Sequence, residues 1–241
     1  MTLLQAALNG DRRHPAVPKT PDAIARDAQA SAKAGADVVH VHAYDDAGAE
    51  TLDATACAAF VRAIRAICPD LPISLTTSAT IISDPAQRLR AVRAWTELPD
   101  LVTANQGEEG IEELCEFFIS HGVGIEAGLL SPSDAKKFAA SSLKSRCHRV
   151  LIEPLNPDPV VALREAAEME AIVLAAGCTL PQVHHGYDGS CWAVNERGLA
   201  RGHGIRTGLE DVLTLPDGRA AVGNVDLVVA ARRLIEEAAR R

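Results

Sequence analysis

The sequence predicts an α/β fold, a (β/α)8 TIM barrel built by one domain over residues 1–241, and three observations lead there. Short β-branched or aliphatic runs alternate eight times with longer segments of helical period, which is the pattern of βαβ units and a parallel sheet. A chain of 241 residues with 47% hydrophobic content suits one large barrel core. No Gly-x-Gly-x-x-Gly follows the first strand, where an open dinucleotide-binding sheet would carry one.

Taken in order, the first strand is Leu3–Leu8, followed by a helix over Pro21–Ala34. That helix starts behind Thr20-Pro21, a cap donor before a proline, and stops at Gly35. Strand Asp37–His42 leads to helix Asp53–Ile67, strand Pro72–Thr76 to helix Asp84–Ala94, and strand Leu101–Ala104 to helix Glu109–Ser120. The fifth strand, Gly122–Ala127, precedes a short helix over Ser133–Ala139 that again has its cap and proline, Ser131-Pro132. Strand Arg149–Ile152 and helix Pro159–Ala176 end at Gly177; strand Gln182–His184 and helix Ser190–Arg201 follow. Strand Gly204–Thr207 and helix Val222–Ala239 close the chain. With 3% aromatic residues, the interior is expected to be filled by Ala, Leu, Val and Ile.

A formal charge of −8 without a basic cluster argues against a nucleic-acid partner. The apolar runs fall far short of the roughly 20 residues that cross a bilayer, so no membrane role is expected. Six cysteines (Cys57, Cys68, Cys115, Cys147, Cys178, Cys191) without a CxxC pair, and an N-terminus without a basic-then-apolar leader, point to reduced thiols in a cytoplasmic protein.

Barrel chemistry sits at the C-terminal ends of the strands. Those ends carry Asn9 and Asp11, His40 and His42, Thr76 and Thr77, Thr103 and Asn105, Glu126, Glu153, His184 and His185, and then Arg206, Glu210 and Asp211. In Val38-Val39-His40-Val41-His42 two imidazoles two residues apart share one face of a strand and can reach one cation. Glu210 follows the last strand, which closes next to the first, and is the expected third ligand. Two imidazoles and one carboxylate leave positions open for substrate oxygens, which favours a catalytic zinc that polarises a carbonyl. Blander readings stand beside this: one histidine hydrogen-bonded within the barrel, Glu210 as a helix-start carboxylate, and Arg206 with Asp211 as a surface ion pair.

Arg206 beside a carboxylate forms a pair able to orient a substrate acid group or tune a base. Thr76, Thr77, Thr103 and Asn105, with Asn9, are candidate donors to a substrate carboxylate, although threonine also favours strands for its own sake. His184 and His185 compete for the metal, and alternation turns at most one of them inward. His14, His121, His148 and His203 fit loop or capping roles.

The chain resembles the β-keto acid cleavage enzymes over almost its whole length. The resemblance is carried by Ala6-Ala7-Leu8-Asn9-Gly10, by Ala34-Gly35-Ala36-Asp37-Val38-Val39-His40-Val41-His42 with Asp46 and Gly48, and by Ile205-Arg206-Thr207-Gly208-Leu209-Glu210-Asp211. It implies zinc on His40, His42 and Glu210, and an Arg206–Asp211 dyad that abstracts the proton between ketone and carboxylate. It also implies hydroxyls near Thr76 and Thr103 on the carboxylate, and a counterpart for Glu126. The implied reaction converts a β-keto acid and acetyl-CoA to acetoacetate and a new acyl-CoA, in a homo-oligomer, commonly a tetramer. The chain departs from the pattern at Leu75-Thr76-Thr77-Ser78-Ala79, where the family has Ser-Thr-Gly-Gly, at Tyr44 in place of an arginine, and at Asp11-Arg12 in place of a glutamate. Two further readings stay open: a coenzyme A-independent metal-dependent aldolase or hydrolase on a carbonyl substrate, and a ligand-binding barrel without turnover.

Overall fold

The computed structural model describes residues 2–240. Eight parallel strands form one closed barrel in sequence order: β1 (Leu4–Ala7), β2 (Val38–Val41), β3 (Ile73–Thr76), β4 (Leu101–Asn105), β5 (Gly124–Leu129), β6 (Arg149–Ile152), β7 (Gln182–His184) and β8 (Gly204–Thr207). Eight helices alternate with them: α1 (Pro21–Lys33), α2 (Ala54–Ile67), α3 (Pro85–Arg93), α4 (Ile111–Ser120), α5 (Pro132–Ala140), α6 (Pro159–Ala175), α7 (Cys191–Ala200) and α8 (Asn224–Ala238). A 3-10 turn, Asp188–Ser190, leads into α7. The barrel expected from the sequence is the one observed.

Thr20 accepts from the Ala23 N–H at 3.3 Å and Ser131 from the Asp134 N–H at 3.2 Å, so both proline-flanked helix starts are capped as expected. The barrel closes through β1 and β8, with Gln5 opposite Arg206, while Ala7 lies opposite His40. That register brings the end of β8 beside the ends of β1 and β2, although β8 lies about 200 positions from β1 and about 165 from β2 in the chain.

The interior departs from expectation. The aliphatic positions of the strands, such as Val39, Val41, Leu75, Val102, Ile125 and Val150, cluster with helix residues Ile24, Phe60, Ile64 and Phe118 in the main core. Their alternates, Gln5, His40, Ser74, Thr103, Glu126, Arg149 and Arg206, are buried in a polar layer inside the barrel. Small and aliphatic residues therefore supply the packing between barrel and helices, and charge fills the barrel. Among the described residues, no helix is long and apolar enough to cross a membrane.

Candidate metal and substrate site

Alternation on β2 turns His40 and, just past the strand, His42 to the same side. Their Nε2 atoms stand 3.7 and 3.5 Å from the two carboxylate oxygens of Glu210. Ligand atoms of the three residues lie within 4.8 Å of one another, an arrangement that could hold a metal ion. Glu210 Oε2 is buried and accepts no hydrogen bond, an acceptor aimed at the same point.

The far side of each imidazole is held. His40 Nδ1 lies 3.0 Å from Ser74 Oγ and 3.3 Å from Thr103 Oγ1. Ser74 donates its one proton to the Glu126 carboxylate, so its oxygen accepts from His40 Nδ1–H and the Nε2 lone pair is left for a cation. Glu126 is fixed in turn by Arg149 Nε at 2.7 Å, Gln5 Nε2 at 3.0 Å and Thr103 Oγ1 at 3.1 Å. On the other imidazole, His42 Nδ1 pairs with Glu50. Each imidazole thus leans on a carboxylate, directly or through one hydroxyl, which sets ring orientation and raises basicity.

The electrostatics fit a cation. Burial drives the His40 pKa down to about 3, so that ring is a neutral donor. Burial acts the same way on His42, but the charges of Glu210 and Glu50 overcome it and hold the pKa near about 9. The carboxylates around His42 demand a positive charge that a divalent ion would meet in place of the proton. Burial would raise Glu210; Arg206 and the two histidines hold it well below the usual carboxylate range.

The opening of β8 into its loop depends on Gly208. A side-chain carbon there would lie 1.9 Å from the Ala7 carbonyl oxygen, and its φ is +159°. The turn behind it delivers Glu210 and Asp211 side by side. Arg206 grips Asp211 through Nε at 3.1 Å and Nη2 at 2.8 Å, and reaches Glu210 Oε1 at 2.6 Å. Burial pushes the Asp211 carboxyl up despite the guanidinium. Burial alone would lower Arg206; Asp211, Glu210 and Glu153 keep it firmly charged.

A cavity of about 310 Å³ opens over this centre. His40, His42, Glu210 and Arg206 line its floor, Thr76, Ser78, Thr80, Thr103 and Asn105 one wall, and Leu130, Glu153, Leu155 and Tyr187 the other. Not every expected residue reaches it. Thr77 follows Thr76 and so points the other way, donating to the Thr103 carbonyl at 2.7 Å. Asn9 spends its amide on the Pro18 and His42 carbonyls (3.1 and 2.9 Å) and its oxygen on the His42 N–H, bracing the metal-side loop. Glu126 is fully buried in the polar layer beneath His40 and does not line the cavity. Asp211 also lies behind Arg206 rather than on the cavity surface.

Of the histidine pair on β7, His185 faces inward, 3.3 Å from Glu153 and 3.7 Å from Asp211. His184 turns out, bonds Gln182 and stacks on His203. His203 is not a loop bystander; it pairs with Glu170, which also accepts from Arg197 and Arg201. Sequence reasoning missed Ser74 and Glu50, and met Arg12 only as part of the departure at Asp11-Arg12. Ser74 could have been found as the inward alternate of Thr76; Glu50 and Arg12 sit in loops where no periodicity points.

A (β/α)8 barrel with a His-x-His pair and a carboxylate at the strand ends defines a class of barrel whose site could hold a metal ion. The family profile of the beta-keto acid cleavage enzymes matches residues 2–148 and 154–241, and the chain belongs to that family. It is 27% identical to the 3-keto-5-aminohexanoate cleavage enzyme of Fusobacterium nucleatum over 94% of this chain and 87% of that protein. A shorter stretch, 42% of this chain and 32% of the relative, is 34% identical to the 3,5-dioxohexanoate:acetyl-CoA acetone transferase of Paraburkholderia graminis. Among solved structures, ligand-free ObcA superposes with a TM-score of 0.73 at 18% identity, over 92% of this chain and 62% of ObcA. The chain thus spans under two thirds of ObcA, and the likeness is one of fold.

Proposed function

We propose that the chain is a zinc-dependent β-keto acid cleavage enzyme, its one barrel serving as a single catalytic domain. It would convert a β-keto acid R–CO–CH2–COO⁻ and acetyl-CoA, CH3–CO–S–CoA, to acetoacetate, CH3–CO–CH2–COO⁻, and a new acyl-CoA, R–CO–S–CoA. The observation that carries this is the convergence of His40, His42 and Glu210 on one point of the cavity floor, beside the Arg206–Asp211 pair. It agrees with the family and with the curated relatives it resembles.

When bound by His40, His42 and Glu210, the cation supplies Lewis-acid polarisation of the ketone oxygen. The chain does the rest. Thr76, Thr103 and Asn105 offer hydroxyl and amide donors along one wall, suited to a carboxylate. Arg206 stands between the cavity and Asp211, so the two act as a unit. Asp211 is the base of the pair and takes the proton from the carbon between ketone and carboxylate, while Arg206, which keeps its charge, holds the Asp211 carboxylate and faces the developing enolate. Asp211, whose carboxyl burial has raised, is the group that can hold that proton. The resulting enolate attacks the acetyl thioester; the released thiolate adds to the original ketone, and carbon–carbon cleavage frees acetoacetate as its enolate, which takes back the proton that Asp211 holds. Leu130, Leu155 and Tyr187 give the opposite wall an apolar surface for the group R. Glu126 acts through Ser74 as a positioning residue for His40. The proposal includes a homo-oligomer in the cytosol, by resemblance a tetramer, which light scattering on the purified protein tests.

The catalytic test is a mass-spectrometric screen of zinc-loaded protein against a panel of β-keto acids, each with and without acetyl-CoA. Acetoacetate and a new acyl-CoA, formed only with acetyl-CoA present, are expected. Keto acid consumed without acetyl-CoA would identify an aldolase or hydrolase instead, and binding without product a ligand-binding barrel.

A further inference from the structure

Arg12 lies in the Asp11-Arg12 stretch, near which the resemblance leads one to expect a glutamate, and its guanidinium does not line the cavity. Its donors are spent on other loops. Nε donates to the Glu210 carbonyl at 2.9 Å and Nη2 to the Asp211 carbonyl at 3.2 Å. Nη2 and Nη1 also clasp the Asp188 carboxylate at 2.7 and 3.3 Å. Its face lies 4.1 Å over the Tyr187 ring. One side chain from the loop after β1 therefore ties together the loops after β7 and β8.

What the clasp holds is specific. The carbonyls of residues 210 and 211 belong to the two peptide planes that flank the Asp211 α-carbon, so fixing both fixes the backbone torsions there. The Asp188 N–H donates to the Asp211 carbonyl as well, at 2.7 Å. Asp188 is the one non-glycine with positive φ among the described residues, at +48°, a conformation that costs energy and persists only when its surroundings enforce it. Arg12 and the Asp211 carbonyl supply that enforcement. Because the guanidinium bonds the backbone of Glu210 and not its carboxylate, Oε2 stays without a hydrogen-bond partner and free for a ligand. On the opposite side the Glu210 side chain lies directly over the Gly10 α-carbon: a β-carbon there would stand 2.6 Å from Glu210 Cγ. Glu210 is thus confined between the bare backbone of one loop and a carbonyl held from another.

We infer that Arg12, with Asp188, is a positioning residue of the metal centre, holding the backbone of the Glu210-Asp211 pair so that the Glu210 carboxylate meets the two imidazoles. It rests on the metal-binding part of the proposed function. Removing the fork should loosen one ligand of three without touching the barrel core, since Arg12 bonds only loop groups at the mouth.

The test titrates Zn²⁺ into the full-length protein against a chromophoric chelator, for wild type, Arg12→Lys and Asp188→Asn, with melting curves of the metal-free proteins alongside. Lysine keeps the charge and loses the fork. Asparagine tolerates the positive φ and loses the charge, so neither change need unfold the chain. The expected result is zinc affinity weaker by about ten- to a hundred-fold in both variants, the scale for residues that orient metal ligands, with metal-free melting shifted by no more than about 4 °C. Unchanged affinity in both variants would overturn the inference. So would a loss of affinity matched by a large fall in metal-free melting, which would make Arg12 a general brace. A wild type that takes up no zinc would overturn the metal reading itself, and this inference with it; the wild-type titration separates that case.

Discussion

Replacing Glu126 with Gln should cost stability on the scale of a broken buried ion pair. The carboxylate is wholly buried, Arg149 lies at 2.7 Å through Nε, and Gln5, Ser74 and Thr103 all donate to it. Glutamine keeps the shape and one acceptor, but strands the Arg149 guanidinium, which is 3% exposed, without its counter-charge. Breaking one partner of such a pair costs about 3–5 kcal/mol, and in a domain of this size each kcal/mol moves the melting temperature by about 2–4 °C, so a fall of about 6–20 °C is expected. The double variant Glu126→Gln/Arg149→Gln should recover a substantial part, because it removes the uncompensated charge. The pH dependence has a definite sign. Burial would raise the Glu126 pKa, but Arg149 above all, then His40 and Ser74, hold it down near about 2. A depressed carboxyl stabilises the fold above its unfolded pKa and loses that contribution as pH falls towards the folded value. The gap between wild type and variant, read by calorimetry or urea melts, should therefore be full at neutral pH, narrow as pH falls below about 4 and close near the folded value. A variant that melts within about 2 °C of wild type, a shift worth no more than about 1 kcal/mol, would refute the assignment of Glu126 as a structural pier under His40.

Four shorter predictions follow from the same contacts. His40→Ala should abolish stoichiometric zinc, measured by elemental analysis, together with activity; retention of both would sink the ligand set. Glu50→Gln weakens the hold on His42 Nδ1 and should loosen zinc by about ten- to a hundred-fold in chelator competition. Gly208→Ala should yield no folded protein by circular dichroism, because its methyl would meet the Ala7 carbonyl oxygen at 1.9 Å. Glu170→Gln leaves Arg197, Arg201 and His203 around an uncharged side chain and should cost about 3 kcal/mol in urea melts at neutral pH. Glu170 is held at about 2 in the fold, burial opposing and His203, Arg197 and Arg201 prevailing, so that cost should shrink as pH falls below about 4 and be gone only near the folded value.

The barrel was legible because each strand is short, aliphatic and bounded by punctuation; β6, β7 and β8 fall on the expected residues. β5 runs two residues later than expected, over Gly124–Leu129, since Gly122 terminates the preceding turn while Gly128 and Leu129 continue the ladder opposite Asn105 and Ile152. The metal triad was legible for a different reason: a two-residue spacing on a strand specifies a shared face without any tertiary knowledge. Thr76 and Thr77 show the limit of that logic. Adjacent strand residues cannot share a face, and only the register, with Thr76 opposite Thr103, says which one meets the cavity. Asn9 looked like a ligand donor because it ends a strand; its partners, Pro18 and the His42 backbone, are set by loop paths that carry no period. The roles of Arg12 and Glu50 were illegible on the same ground.

The two halves of the centre are held by different physics. His40 is fixed from below, by a buried network of Ser74, Thr103, Glu126, Arg149 and Gln5 that crosses five strands and admits little movement, while His42, just past β2, pairs with Glu50. Glu210 is fixed from above, by loop backbone over Gly10 and by the Arg12 fork. Strand-borne ligands share the stability of the whole barrel, whereas a loop-borne ligand can shift when three surface loops shift, because local opening there does not require the core to open. Substrate-dependent adjustment of the metal centre should therefore be concentrated at Glu210. The Tyr187 wall, attached to the same clasp through the Arg12 guanidinium, should move with it.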